Sequence, residues 1–263
     1  MSESASESRV VIITGAAQGI GAEAAWRFAE DGARLVLTDM APGGAADVAA
    51  KIAATHPGSG AVGLRTDVTD PAACDELVAT AVARHGRLDV LAVATVAAPQ
   101  WSLLKDLPPD EWDRIMAVNA KGPYLLSRSA IPALTSPGGS IVYVYSGHAQ
   151  LGSPGRAVYS ASKGALGSMI KSLALELAPD RITVNGVAPL HVDAPLNDAG
   201  LKAAADDAGL TVEEVRARRD SGIPLGRAAT LREVADAMAY LASPRAAYVT
   251  GTILDINGGL LMR

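Results

Sequence analysis

Tyr159 and Lys163 stand four residues apart in Tyr159-Ser160-Ala161-Ser162-Lys163, and Ser146 lies thirteen residues upstream of the tyrosine, at the end of an apolar run. One helical turn would place the phenol and the ammonium on the same face. A phenol ionises near pH ~10 and is a poor acid or base at neutral pH. A fixed cation beside it favours the phenolate and makes it usable for proton transfer. Tyr-x-x-x-Lys alone is common in helices, so its weight depends on what the rest of the chain supplies.

The first apolar run, Val10 to Thr14, leads directly into Gly15-Ala16-Ala17-Gln18-Gly19-Ile20-Gly21 and then a helical pattern. Glycines at such a turn permit close backbone approach and leave free amides at a helix N-terminus to meet a diphosphate. The spacing Gly-x-x-x-Gly-x-Gly departs from the Gly-x-Gly-x-x-Gly fingerprint, yet both strand and helix are in place. Asp39 follows the second strand, where a carboxylate can accept hydrogen bonds from both adenosine ribose hydroxyls and would repel a 2′-phosphate. No arginine or lysine neighbours it in sequence and Gln18 is neutral, which favours NAD(H) over NADP(H). Asp67, after the third strand, is a candidate for the adenine with Val68 packing beside it; an aspartate there also suits capping of the following helix.

These residues need a frame. Apolar runs at Val10–Thr14, Arg34–Thr38, Ala61–Thr66, Leu88–Ala94, Ser140–Tyr145, Ile182–Ala188 and Thr252–Asp255 alternate with helical patterns. That alternation predicts an α/β fold, a doubly wound parallel sheet of about seven strands with helices on both faces. Asp70-Pro71 opens one helix with a cap and a proline at its first position. A long helix is expected from about Pro109 to Thr135, interrupted at Gly122-Pro123. The insertion between about 190 and 230, with its own helical pattern from Asn197 to Arg219, is too long for an ordinary loop and reads as a substrate lid. No linker divides the chain, so 9–263 is expected to be one domain behind a polar tail, 1–8.

Hydrophobic residues make up 49% of the 263 and aromatics 4%, so the core must be built from Ala, Val, Leu and Ile. A net charge of −5 without a basic stretch argues against nucleic acid as a partner. No apolar stretch is long enough to cross a membrane, and no signal peptide opens the chain. The single cysteine, Cys74, cannot form an internal disulfide and reads as a buried thiol in a reducing cytoplasm. Trp26 and Phe28 read as core. Two histidines, His148 and His191, without a carboxylate at ligand spacing do not make a metal site.

In their order, the Thr14–Gly21 turn, Asn119 in Val118-Asn119, Ser146 with Tyr159 and Lys163, and Val187-Ala188-Pro189 make the chain resemble a classical short-chain dehydrogenase/reductase from Val10 to Gly259. The resemblance implies a single-domain Rossmann-like fold and an NAD-dependent enzyme interconverting a secondary alcohol and a ketone. It implies Tyr159 as acid/base, Lys163 holding the nicotinamide ribose and supporting the tyrosinate, Ser146 orienting the substrate oxygen, and Asn119 holding a water of a proton relay. Hydride transfer leaves charge on oxygen, which a hydroxyl donor and an acid stabilise. Gly15, Gln18, Gly19, Ile20, Gly21, Asp39, Asp67, Val68, Tyr159, Lys163, Pro189 and Val192 then count as cofactor contacts. Trp101, His148 and His191 are substrate candidates, with Tyr145 and Leu151 near them. The partner is a small-molecule alcohol or ketone, and a homo-oligomer, dimer or tetramer, is expected.

Three positions depart from the family pattern. Val96 stands where a glycine usually passes close to the cofactor, Leu190 replaces the glycine after Pro189, and Ala194 replaces a threonine that often meets the carboxamide. They keep two alternatives open: the same scaffold doing non-redox proton transfer (isomerase, cyclase or dehydratase), or a non-catalytic dinucleotide-binding protein.

Overall fold

The computed structural model describes residues 8–97, 102–134, 138–194 and 198–262. Trp101 and the tail residues 1–7 lie outside them. Seven parallel strands, β1 Val10–Thr14, β2 Arg34–Asp39, β3 Val62–Arg65, β4 Val90–Val93, β5 Ser140–Val144, β6 Thr183–Pro189 and β7 Ile253–Ile256, form one sheet in the order β3-β2-β1-β4-β5-β6-β7. Side chains alternate across each strand. Val11 and Ile13 join one core with Phe28, Ile52 and Met238, and Val10 and Ile12 join a second with Leu77, Leu126 and Ile170. The first core packs α1 (Gly19–Glu30), α2 (Gly44–Thr55) and α9 (Leu231–Leu241) on one face. The second packs α3 (Pro71–His85), α5 (Gly122–Ala130) and α6 (Ala157–Glu176) on the other.

Local chemistry sets the helix ends. Asp70 accepts from the Ala72 amide at 2.9 Å, Pro71 opens α3, and Gly86 closes it in the left-handed region at φ 80°. Cys74 is buried in this helix, and burial pushes its thiol up to about 11, as a structural thiol requires.

Two sequence expectations change. The long helix is α4 (Pro109–Met116), a π-helical turn Ala117–Lys121, and then α5. The widening falls before Gly122-Pro123 because Pro123 has no N–H to give the carbonyl of Asn119 four residues earlier. The helix expected from Asn197 to Arg219 is two, α7 (Asp198–Ala208) and α8 (Val212–Ser221). Gly209, at φ 64°, ends the first, and a Thr211–Glu214 capping box starts the second. Among the described residues no helix is long and apolar enough to cross a membrane.

Candidate active site

The strand order reverses between β1 and β4, and the carboxyl ends of these strands come together there, where open α/β sheets bind ligands. The Thr95 amide donates to Thr14 Oγ1 at 3.3 Å. A Cβ on Gly15 would lie 2.8 Å from the backbone of Ala94, and one on Gly21 only 2.1 Å from the Gly15 carbonyl oxygen. Both glycines are therefore dictated by backbone packing. Gly19 differs: its φ of 59° needs glycine, but nothing stands within 4 Å of where its Cβ would be. Gln18 is exposed and leaves the N-terminus of α1 without a side-chain cap. Open space before uncapped helix amides fits a diphosphate.

Asp39 is the last residue of β2, and its carboxylate accepts from the amides of Ala17 (3.1 Å) and Ala41 (2.9 Å). This fixes it beside the glycine turn. One expectation needs correcting: Arg65 on β3 sits opposite Asp39, and its Nε donates to the Met40 carbonyl at 3.2 Å. A cation does stand near, brought by strand pairing and invisible to sequence adjacency. Asp67 accepts from the Thr69 amide and hydroxyl (2.9 and 2.7 Å), which hold its carboxyl below the usual range. The cap of α3 is Asp70 instead. The Val68 side chain is buried in the second core, and that of Val192 in the first. Ile20 is half-buried against the first core, and Pro189 ends β6.

On the other side of the crevice β5 delivers Ser146 and α6 delivers Tyr159 and Lys163. Ser146 is buried, its Oγ accepts from the His148 amide at 3.2 Å, and it lies close enough to the Tyr159 phenol to favour its ionised form. Lys163 Nζ lies 6.0 Å from the Tyr159 ring centroid and donates to the Val144 carbonyl at 2.7 Å. Asn119 has 0% exposure. Its Oδ1 accepts from the Ala97 amide (2.7 Å), while Nδ2 donates to the Ala97 carbonyl (2.9 Å) and to Ser162 Oγ (3.2 Å). Ser162 in turn donates to the Tyr159 carbonyl at 2.8 Å. The Asn119 side chain thus clamps the loop after β4 to the turn of α6 that carries the tyrosine. Its three polar contacts use both amide protons and one of the two lone pairs of Oδ1.

Electrostatics also departs from the simple tyrosine–lysine picture. Burial raises the Tyr159 phenol above its ordinary value, against smaller lowering by the Ser146 hydrogen bond and by the Arg156 guanidinium. Burial brings Lys163 down to about 8. A second cation, Arg156, also stands by the phenol, with Cζ 5.7 Å from the ring centroid. Sequence reasoning missed this residue, although three residues before Tyr159 is one helical turn on the same face.

His148 and His191 pack edge to face with ring centroids 6.5 Å apart, so the two substrate candidates do meet. Tyr145 is buried with its ring over Gly167 of α6. Leu190 folds over Gly147, where a Cβ would lie 3.0 Å from Leu190 Cδ1, so the missing side chain of one residue receives the bulk of the other. Ala194 packs partly buried on the first core, and Val96 is 37% exposed. Among the described residues no cluster of His, Cys, Asp or Glu could hold a metal ion.

A doubly wound parallel sheet with this crevice, and a serine, tyrosine and lysine at its rim, defines a dinucleotide-linked oxidoreductase. A family model described as "Enoyl-(Acyl carrier protein) reductase" matches residues 15–261. The cis-4-hydroxycyclohexanecarboxylate dehydrogenase of Sinomonas cyclohexanicum is 40% identical over 253 residues, covering 95% of this chain and 96% of its own. A 3-oxoacyl-(acyl-carrier-protein) reductase of Thermotoga maritima is 35% identical over 257 residues, covering 97% and 99%. The crystal structure of a 3-ketoacyl-(acyl-carrier-protein) reductase from Brucella melitensis complexed with NADH superimposes with a TM-score of 0.85 at 33% identity, covering 97% of this chain and 99% of that one. The chain belongs to the short-chain dehydrogenase/reductase family and is an NAD(H)-linked oxidoreductase.

Proposed function

We propose that this enzyme interconverts a secondary alcohol and a ketone, with Tyr159 as the acid/base and NAD(H) preferred over NADP(H). The observation that carries the reading is the gathering of Ser146, Tyr159 and Lys163 at the mouth of the crevice, with Ser146 acting on the phenol and Lys163 Nζ 6.0 Å from its ring. The dinucleotide, when bound, supplies the hydride donor or acceptor. Ser146 holds the substrate oxygen and Tyr159 exchanges its proton. Lys163, which holds the Val144 carbonyl in the free protein, would be the residue that holds the nicotinamide ribose. Asn119 and Ser162 position the tyrosine and do not touch substrate. A phenol raised by burial stays protonated at neutral pH, which suits donation to a ketone; oxidation gains as pH rises.

For the cofactor, Asp39 faces the ribose edge with its carboxylate held by two amides, and a 2′-phosphate would meet that charge. Arg65 opposes this preference, so Asp39→Ser should move the NAD/NADP ratio of kcat/KM toward NADP by roughly 10- to 100-fold. An unchanged ratio would exclude Asp39 as the discriminator. Residues 190–230 act as the lid, with Asp193 after β6 tied to Arg216 (3.1 Å) and Arg219 (2.9 Å) of α8. Assembly into a dimer or tetramer belongs to the same reading. Tyr124 on α5 and Leu175 on α6 are exposed apolar side chains on the helices that would pair, and light scattering checks it. The test of the whole is a panel of secondary alcohols with NAD and wild-type enzyme beside Tyr159→Phe. Turnover retained by the variant removes Tyr159 from the chemistry.

A further inference from the structure

Arg156 occupies the N-cap position of α6, a twenty-residue helix. A cation there is opposed by the helix dipole, whose N-terminus carries partial positive charge. The side chain is half-buried, and burial holds its guanidinium below the ordinary range while the Tyr159 hydroxyl pulls the other way. In this position guanidinium and helix amides would act together on an anion brought to the Tyr159 side of the helix end.

The wall around Arg156 narrows what that anion is. His148 is near enough for the guanidinium to act on it and packs edge to face with His191, and Ser160 on the first turn of α6 donates to the His148 carbonyl at 2.9 Å. Burial, then Arg156, then His191 hold the His148 imidazole at about 4, and burial lowers His191 as well. Of these three basic side chains, Arg156 is the one that carries full charge at neutral pH. The imidazoles offer neutral, shape-defining surface. A planar guanidinium fits a carboxylate through two parallel hydrogen bonds.

We propose that Arg156 receives the carboxylate of the substrate, so that the alcohols oxidised here are small hydroxy acids whose carbinol carbon lies at Tyr159 while their carboxylate is held one helical turn away. The proposal rests on the reading of Tyr159 as acid/base. The carboxylate is unchanged in the reaction: the carbinol C–H leaves as hydride to the oxidised nicotinamide and the O–H proton goes to Tyr159 in its tyrosinate form, the fraction of which grows as pH rises, giving the keto acid and the neutral phenol. The relative from Sinomonas cyclohexanicum is named for a substrate of this class, a ring bearing hydroxyl and carboxylate on opposite carbons.

The experiment compares cis-4-hydroxycyclohexanecarboxylate with 4-methylcyclohexanol, its neutral counterpart, for wild type, Arg156→Met and Arg156→Lys, each saturated with NAD. Wild type should prefer the acid in kcat/KM. Arg156→Met should lower the acid-to-neutral preference roughly 10- to 100-fold, chiefly through KM, with Arg156→Lys between. Equal loss on both alcohols would overturn the proposal, because Arg156 would then act through Tyr159 or the fold. A wild-type preference for the neutral alcohol would overturn it while leaving the oxidoreductase reading intact. Should wild type turn over neither compound, titration of the acid into the NADH complex, followed by nicotinamide fluorescence, decides. Binding lost in Arg156→Met supports the carboxylate site and places the failure in the assignment of the chemistry; absence of binding to wild type overturns the site.

Discussion

Ser127 with Tyr143 and Ser146 with Tyr159 are two serine–tyrosine pairs flanking the same strand, β5, and they differ in everything but their functional groups. Tyr143 has 0% exposure, in the second core, and burial drives its phenol far above the ordinary range. Ser127 Oγ gives its proton to the Pro123 carbonyl at 2.6 Å, so the Tyr143 hydroxyl must be the donor in their shared bond. That pair is closed: each proton is committed and no substrate can approach. Tyr159 is half-buried at the crevice near Ser146, with Arg156 and Lys163 both near its ring. Identical groups become an interior fastening in one place and a proton-transfer device in the other. Access and neighbouring cations decide which.

The contrast can be broken most directly at the two phenols. Tyr159→Phe should cut turnover by about 10²- to 10⁴-fold while NADH affinity, followed by nicotinamide fluorescence, stays close to wild type. If Tyr143→Phe produced that loss instead, the roles of the pairs would be reversed. Next in size is Lys163. Its pKa is lowered from 10.5 to about 8, so below pH 8 the folded protein carries a buried charge that the unfolded chain holds more easily. The unfolded state binds more protons between these values, and stability therefore rises with pH across that window. Urea unfolding at several pH values should show wild type gaining about 3 kcal/mol relative to Lys163→Met between pH 8 and 10.5. A flat difference would mean that the ammonium is not desolvated.

Smaller effects sharpen the boundary between clamp and device. Asn119→Ala leaves the Ala97 amide and carbonyl without their side-chain partner and should cost about 2 kcal/mol in urea unfolding, with a fall in kcat and little change in KM. A changed KM alone would argue for substrate contact. Tyr143→Phe should cost about 1 kcal/mol, because Ser127 keeps its bond to Pro123 and only the phenol's own bond is lost, with turnover near wild type.

Strand–helix alternation, the capped start of α3 and the glycine turn were legible because they arise from local chemistry: apolar period, a side chain reaching its own helix, and backbone that tolerates positive φ. The order of Ser146, Tyr159 and Lys163 was legible for the same reason, since helical spacing is a local property. The split of the lid pattern at Gly209 was written in the sequence too, as a glycine followed by a Thr-x-x-Glu box, although periodicity alone ran across it. What could not be read were contacts between residues far apart in the chain. Strand pairing brings Arg65 to Asp39, and packing places Leu190 on Gly147 and turns Val68 and Val192 into the cores.

The sequence by itself determined a parallel α/β dinucleotide fold and the identities and order of its proton-handling groups, because both follow from spacing along one chain. Only the tertiary structure decided which tyrosine is open and which closed, and which cations stand by the open one. It shows Lys163 bonded to the Val144 carbonyl and brings Arg156 as well to the ring of that phenol. The physical reason is that desolvation and Coulomb interactions depend on distance through space and on what excludes water, and neither quantity is a function of separation in sequence.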